Sequence, residues 1–180
     1  MEKAISDVNE LRERARSHLQ GGAITDDYRA DRAQVIKLLN EILATELMCS
    51  LRYKSHYHCA SGIHQDAVKP EFLQHAQEAE RHADLVAKRI VQLNGLPDFN
   101  PAGLAERSRS EFIEGSNVVE MIREDLVAER IAVEFYSEFV HWLGDKDLVT
   151  RKIMMEILAM EAEHAEDMKS LLGRLQAVQG

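Results

Sequence analysis

The chain has 180 residues, 45% hydrophobic and 29% charged, with a net charge of −9. That is enough chain for one domain with a sizeable core, and its acidic balance argues against a nucleic-acid footprint. Two cysteines are too few for a disulfide framework, no apolar run approaches the ~18 residues of a membrane span, and the N-terminus has no apolar leader, so a reduced, cytoplasmic protein is expected.

Residues 1–24 read as a short helical extension in which Arg12, Arg14 and Arg16 fall close together. Over residues 1–30, five basic side chains face six acidic ones, so this is no polycation and DNA binding is not expected. The main domain is expected over 25–175, with 176–180 as a short tail. Its first helix is marked by Val35, Leu38, Leu39, Ile42, Leu43 and Leu47 at helical spacing, from about Tyr28 to Ala60, and Gly62 stops it. Cys49 and Cys59 then share one helix, about 15 Å apart along its axis and beyond disulfide reach. Pro70 is expected in the first turn of the second helix, which Asn94-Gly95 and then Pro97 end. A long segment without periodicity follows, "GLPDFNPAGLAERSRSEFIEGS". Asn117 and Glu120 have capping-box spacing at the start of the third helix, which stops at Gly144. Asp145 or Asp147 caps the fourth, expected to end near Gly173. There is no strand signal. Short links within each pair of helices and one long link between the pairs predict an all-α four-helix bundle with one long crossover, preceded by a short N-terminal helix.

Several acids lie inside apolar stretches: Glu46 in "ILATELMCSL", Glu129 in "LVAERIAVEF", and Glu161 with His164 in "ILAMEAEHAEDM". A carboxylate on an apolar stripe costs several kcal/mol unless it is paired or metal-bound. Any one of them, taken singly, reads more readily as a salt bridge at the edge of a stripe. The constellation carries more weight: one acid on each of the first and third helices, and an acid–His pair on each of the second (Glu78, His82) and fourth (Glu161, His164). Such a set suits a dinuclear centre, because hard divalent ions take carboxylate oxygen and one imidazole per metal.

On these residues the chain resembles bacterioferritins, within the ferritin-like superfamily. "LLNEILATELMCSLRY" is similar to their first helix, "HADLVAKRIVQLNGLPDF" to their second and "MMEILAMEAEHAEDM" to their fourth, so the resemblance spans about residues 30–172. It implies a ferritin-like bundle with Glu46, His82, Glu129, Glu161 and His164 on ferroxidase ligand positions. Tyr53 matches a Tyr beside that site, as a redox residue or a buried hydrogen-bond donor. The implied activity is oxidation of Fe2+ by O2 or H2O2 at an intra-subunit dinuclear site, with iron stored or detoxified inside an oligomeric shell. Manganese is an alternative metal. The alternatives are a peroxide-scavenging or Dps-type stress-protection shell, and a metal-poor structural shell with a degenerate site.

Two departures from the family pattern matter. The bridging Glu of the second helix falls on Ala79, so two ions would meet three carboxylates unless Glu78 turns inward or His75 takes part, and one ion is expected to bind weakly. The position of the haem-ligating Met is Glu80, so no haem is expected. The chain also runs only 16 residues past His164, whereas bacterioferritins continue into a fifth helix. A homo-oligomer of twelve subunits, as in Dps-like shells, is therefore expected in preference to 24.

Overall fold

The computed structural model describes residues 5–25, 28–62 and 65–178; residues 1–4, at the start of the expected extension, and 179–180, at the end of the expected tail, lie outside the described residues. Among the described residues, helices α1 (Val8–Ser17), α2 (Arg32–Cys59), α3 (Gln65–Gln92), α4 (Leu104–Arg107), α5 (Val118–Leu143) and α6 (Leu148–Val178) make up the fold, with a 3-10 turn at Leu19–Gly21. Among the described residues there is no strand. None of their helices is long and apolar enough to cross a membrane.

Local chemistry sets the ends of the elements. Asp31 accepts from the Gln34 amide at the start of α2, and Asn117 from the Glu120 amide at the start of α5. Asp147, one of the two candidate caps, accepts from the Thr150 amide and starts α6. At the end of α3, Asn94 takes a left-handed conformation (φ 59°), and the Gly95 amide bonds back to the Ile90 carbonyl at 2.9 Å. Gly95 is needed there because a Cβ would stand 2.9 Å from Ile36 and 3.0 Å from Ile90. Gly144 (φ 51°) closes α5.

Three elements differ from the sequence expectation. Pro70 lies inside α3, whose first residue is Gln65, because the helix starts a turn earlier than the proline suggests. The crossover holds the one-turn helix α4, tied by Arg107 to the carbonyls of Ala102 and Asn100. Helix α6 runs through Gly173 to Val178 instead of ending near the glycine. A helical Gly costs ~1 kcal/mol relative to Ala, and burial of Leu171 and Leu175 on either side outweighs that.

The crossover tracks α2 from Asn40, whose amide reaches the Leu96 carbonyl, to His56, whose Nε2 meets the Ile113 carbonyl. Helix α5 therefore begins beside the C-terminal end of α2 and runs antiparallel to it, as α3 does. A buried clamp fixes that junction. Arg52 donates to Asp125 (2.8 Å), Ser110 (2.6 Å) and the Glu111 carbonyl, while Asp125 also meets His56 Nδ1 at 2.8 Å. At the other end, Arg89 binds Asp147 and Thr150, and Tyr28 donates to Asp147.

Two apolar plugs fill the bundle. One gathers Leu39, Ile42, Leu43, Val86, Ile90, Phe139, Leu143 and Met154. The other gathers Val68, Phe72, Ala76, Met121, Ile122, Met168 and Leu171. Each fully buried aliphatic or aromatic side chain here contributes roughly 1.5–3 kcal/mol. Between the plugs lies a layer of buried acids and histidines.

Candidate metal centre

Each of the four long helices sends polar groups into this layer. Helix α2 supplies Glu46 and Tyr53, α3 supplies His75, Glu78 and His82, α5 supplies Glu129 and Tyr136, and α6 supplies Glu161 and His164, all of them buried. Glu46, His82, Glu129, Glu161 and His164, the five residues that the resemblance puts on ligand positions, thus lie in one layer.

Glu161 is the hub. One of its oxygens stands 2.7 Å from His82 Nδ1, and the other 3.3 Å from His164 Nδ1. Glu46 flanks the first histidine (3.4 Å), and Glu129 the second (3.9 Å). Two sets of potential ligand atoms result, each within 4.8 Å: Glu46, His82 and Glu161, and His75, Glu129 and His164. Two buried atoms in the layer, His75 Nε2 and Glu129 Oε2, lack a hydrogen-bond partner, while His82 Nδ1 and Glu161 Oε1 face each other as an ion pair. Such orphans are rare in native interiors unless an ion or water serves them. With three carboxylates and an imidazole on either side, the donor set fits two divalent cations of the Fe2+ or Mn2+ kind.

Electrostatics point the same way. Burial, then the neighbouring Glu161 charge, push Glu46 and Glu129 above the ordinary carboxylate range. Burial also works against Glu161, but contacts from His164 and His82 overcome it and hold Glu161 low. Burial would lower His82, yet Glu161 and Glu46 lift it to about 10. Burial and then His164 push His75 down to about 4.

Tyr53 is buried and its hydroxyl donates to Glu129. Its counterpart was not singled out from the sequence. Tyr136 donates to Glu46 at 2.6 Å, so each of these two helices holds the other's carboxylate. The signal was present: Tyr136 follows Glu129 by seven residues, as Tyr53 follows Glu46, and seven residues are close to two helical turns.

Glu78 does turn toward the centre, but it meets the outer nitrogen of His164, Nε2, at 2.7 Å. Arg81 and Gln74 hold its other oxygen. Glu78 joins neither set of ligand atoms. Its position suits an orienting partner that keeps a proton on His164 Nε2 and leaves Nδ1 facing Glu161. Ala79 is buried in the slot three residues before His82. His75 stacks on His164 (ring centroids 4.1 Å) and falls in the second set of ligand atoms. Glu80, on the family's haem position, faces outward to Lys54. Cys49 is free and buried near the layer, and Cys59 is free and exposed.

A profile of the ferritin-like domain family matches residues 36–178. The chain is 31% identical over 146 residues to the bacterial ferritin of Pseudomonas aeruginosa, covering 78% of this chain and 87% of that one. It is 27% identical over 138 residues to the bacterioferritin of Desulfovibrio desulfuricans, covering 76% and 73%. Among solved structures it is similar to the bacterioferritin-related protein of Bacteroides fragilis, described as a dodecameric thioferritin, with a TM-score of 0.81 and 26% identity over 96% of this chain and 97% of that one. The extent of these matches, together with the four-helix wiring and its buried acid–histidine layer, places the chain in the ferritin-like domain family.

Proposed function

We propose that the chain binds two Fe2+ ions as substrate between its four long helices, oxidises them, and holds the product inside a hollow homo-oligomer. The observation that carries this reading is Glu161 spanning His82 and His164, with Glu46 and Glu129 on the two outer sides. A carboxylate with one oxygen for each histidine is the bridging ligand that a dinuclear centre requires. Each Fe2+ gives one electron. H2O2 takes two electrons and two protons and leaves as two waters, whereas O2 taking the same leaves as H2O2. The related B. fragilis protein is dodecameric by its description, which supports a shell of twelve here.

The test is anaerobic Fe2+ titration by calorimetry, then addition of H2O2 or O2 while ferric absorbance is followed, with native mass on the same sample. Two Fe2+ per subunit, oxidation on adding oxidant, and a twelve-subunit mass are expected. Glu161→Gln should lose both binding and oxidation. A parent that binds no Fe2+ would overturn the dinuclear reading, and a monomer at micromolar concentration would overturn the shell.

A further inference from the structure

A second group of ligand-type side chains lies against the centre and shares His75 with it. Glu71, His75 and Asp167 bring potential ligand atoms within 4.8 Å of one another where α3 meets α6. Asp167 is 54% exposed and His75 fully buried, so the group runs from solvent into the bundle. Glu71 and His75 are four residues apart on α3, which puts them on one face of that helix.

His75 explains why this is more than two surface acids. The single proton of the Tyr53 hydroxyl goes to Glu129, so Tyr53 offers His75 only its oxygen. With the hydroxyl proton turned to Glu129, His75 Nδ1, 3.2 Å from that oxygen, is placed as the donor. In the neutral ring that leaves Nε2 with a lone pair. The atom is buried and has no hydrogen-bond partner. It faces Asp167 Oδ2 at 3.5 Å, so in that tautomer two acceptors point at each other. A cation resolves that mismatch, and Glu71 supplies the second carboxylate.

We propose that Glu71, His75 and Asp167 form a third divalent-cation site, an outer station through which Fe2+ passes between solvent and the dinuclear centre. Its role as a station rests on the dinuclear reading above; its existence as a cation site does not. The link inward is short. His75 touches Tyr53, which holds Glu129, and its ring stacks on that of His164 at 4.1 Å. A mixed nitrogen–oxygen set of three, open on the Asp167 side, holds a divalent ion loosely enough to release it.

Co2+, which does not turn over, is the probe. Crystals of the full chain soaked in Co2+ and measured for anomalous scattering should show three peaks per subunit, one of them among Glu71, His75 and Asp167. Asp167→Asn changes a half-exposed side chain and should leave the fold intact. It should remove the outer peak, keep the inner two, and weaken the third binding event in solution by at least about tenfold, the lower end of what losing even a supporting partner costs a metal site. Glu161→Gln should do the reverse. Inner peaks without an outer one at saturating Co2+ overturn the proposal and leave the dinuclear reading standing. An outer peak without inner ones keeps the cation site and sinks the dinuclear reading. An outer peak unchanged in both Asp167→Asn and Glu71→Gln also overturns the assignment.

Discussion

Removing a ligand should make the metal-free protein more stable. Glu129 is buried with one oxygen held by Tyr53 and the other, Oε2, without a hydrogen-bond partner. Burial and the adjacent Glu161 charge both disfavour its ionised form. Glu129→Gln keeps the acceptor for Tyr53 and puts an amide donor beside Glu161 in place of the orphaned oxygen. An unsatisfied buried polar group costs about 1–3 kcal/mol, so the variant should gain about that much. At about 2–4 °C per kcal/mol for a chain of this size, the melting temperature of chelator-stripped protein should rise by roughly 2–12 °C. Metal should reverse the order. A cation present at ~100 times its Kd adds about 2.7 kcal/mol to the parent, and the variant should lose most of that. Differential scanning calorimetry with and without Mn2+, at fixed protomer concentration, measures both effects. A lower melting temperature for the stripped variant, or an undiminished rise with Mn2+, would refute the assignment of Glu129 as a costly carboxylate held for a cation.

Three further outcomes are expected. Ala79→Glu puts a carboxylate in the buried slot three residues before His82, so calorimetry should show tighter binding of the weaker Fe2+ and a faster oxidation rate; the helix itself should lose only a few tenths of a kcal/mol. Tyr136→Phe leaves a Glu46 oxygen without its donor and should cost ~1–3 kcal/mol in urea unfolding of the stripped protein. For Asp147, burial alone would raise the pKa, but Thr150, Tyr28 and Arg89 hold it below its ordinary 3.8. Its stabilising contribution is complete above pH 3.8 and is lost as pH falls through the lower folded value, so Asp147→Asn should flatten the acid limb of the stability profile, and Asp147→Ala should cost roughly 3–5 kcal/mol at neutral pH through the stranded Arg89.

The sequence showed what repeats along a helix more clearly than what happens between helices. Glu46, Glu129, Glu161 and His164 were legible because an ionisable group inside an apolar run is conspicuous, His82 was legible through its pairing with an acid and the family resemblance, and all five lie in one buried layer. Helix stops at Asn94-Gly95 and Gly144 were legible because few residues take a left-handed backbone cheaply. Gly173 and Pro70 misled, since a terminal Gly can be carried by packing on both sides and a Pro can be carried one turn inside a long helix. Glu78 shows a third limit. Angular position on α3 put it near the centre, but only the placement of α6 shows that it meets the outer nitrogen of His164. The Arg52–Asp125–His56 clamp was hidden altogether, because its partners Ser110 and Glu111 belong to a crossover with no periodicity to read.

Tyr53 and Tyr136 reveal what the missing bridge does to the layer. Helices α2 and α3 correspond to α5 and α6 about an approximate two-fold: Glu46 with Glu129, Tyr53 with Tyr136, and His82 with His164. Each tyrosine holds the opposite carboxylate, so the symmetry is built into the hydrogen bonds as well as the spacing. At the bridge it fails, because Glu161 answers to Ala79. The first half of the layer then has Glu46, His82 and the shared Glu161. The second has Glu129, His164 and His75, with Glu78 behind His164. A lost carboxylate is thus met by an added imidazole and an orienting acid on one side only. Two identical ions cannot experience these halves equally: one position is oxygen-rich and more anionic, the other nitrogen-rich and joined through His75 to the surface acids Glu71 and Asp167. On the proposed reading, that inequality would give the centre a direction, with the nitrogen-rich half receiving an ion that arrives from solvent.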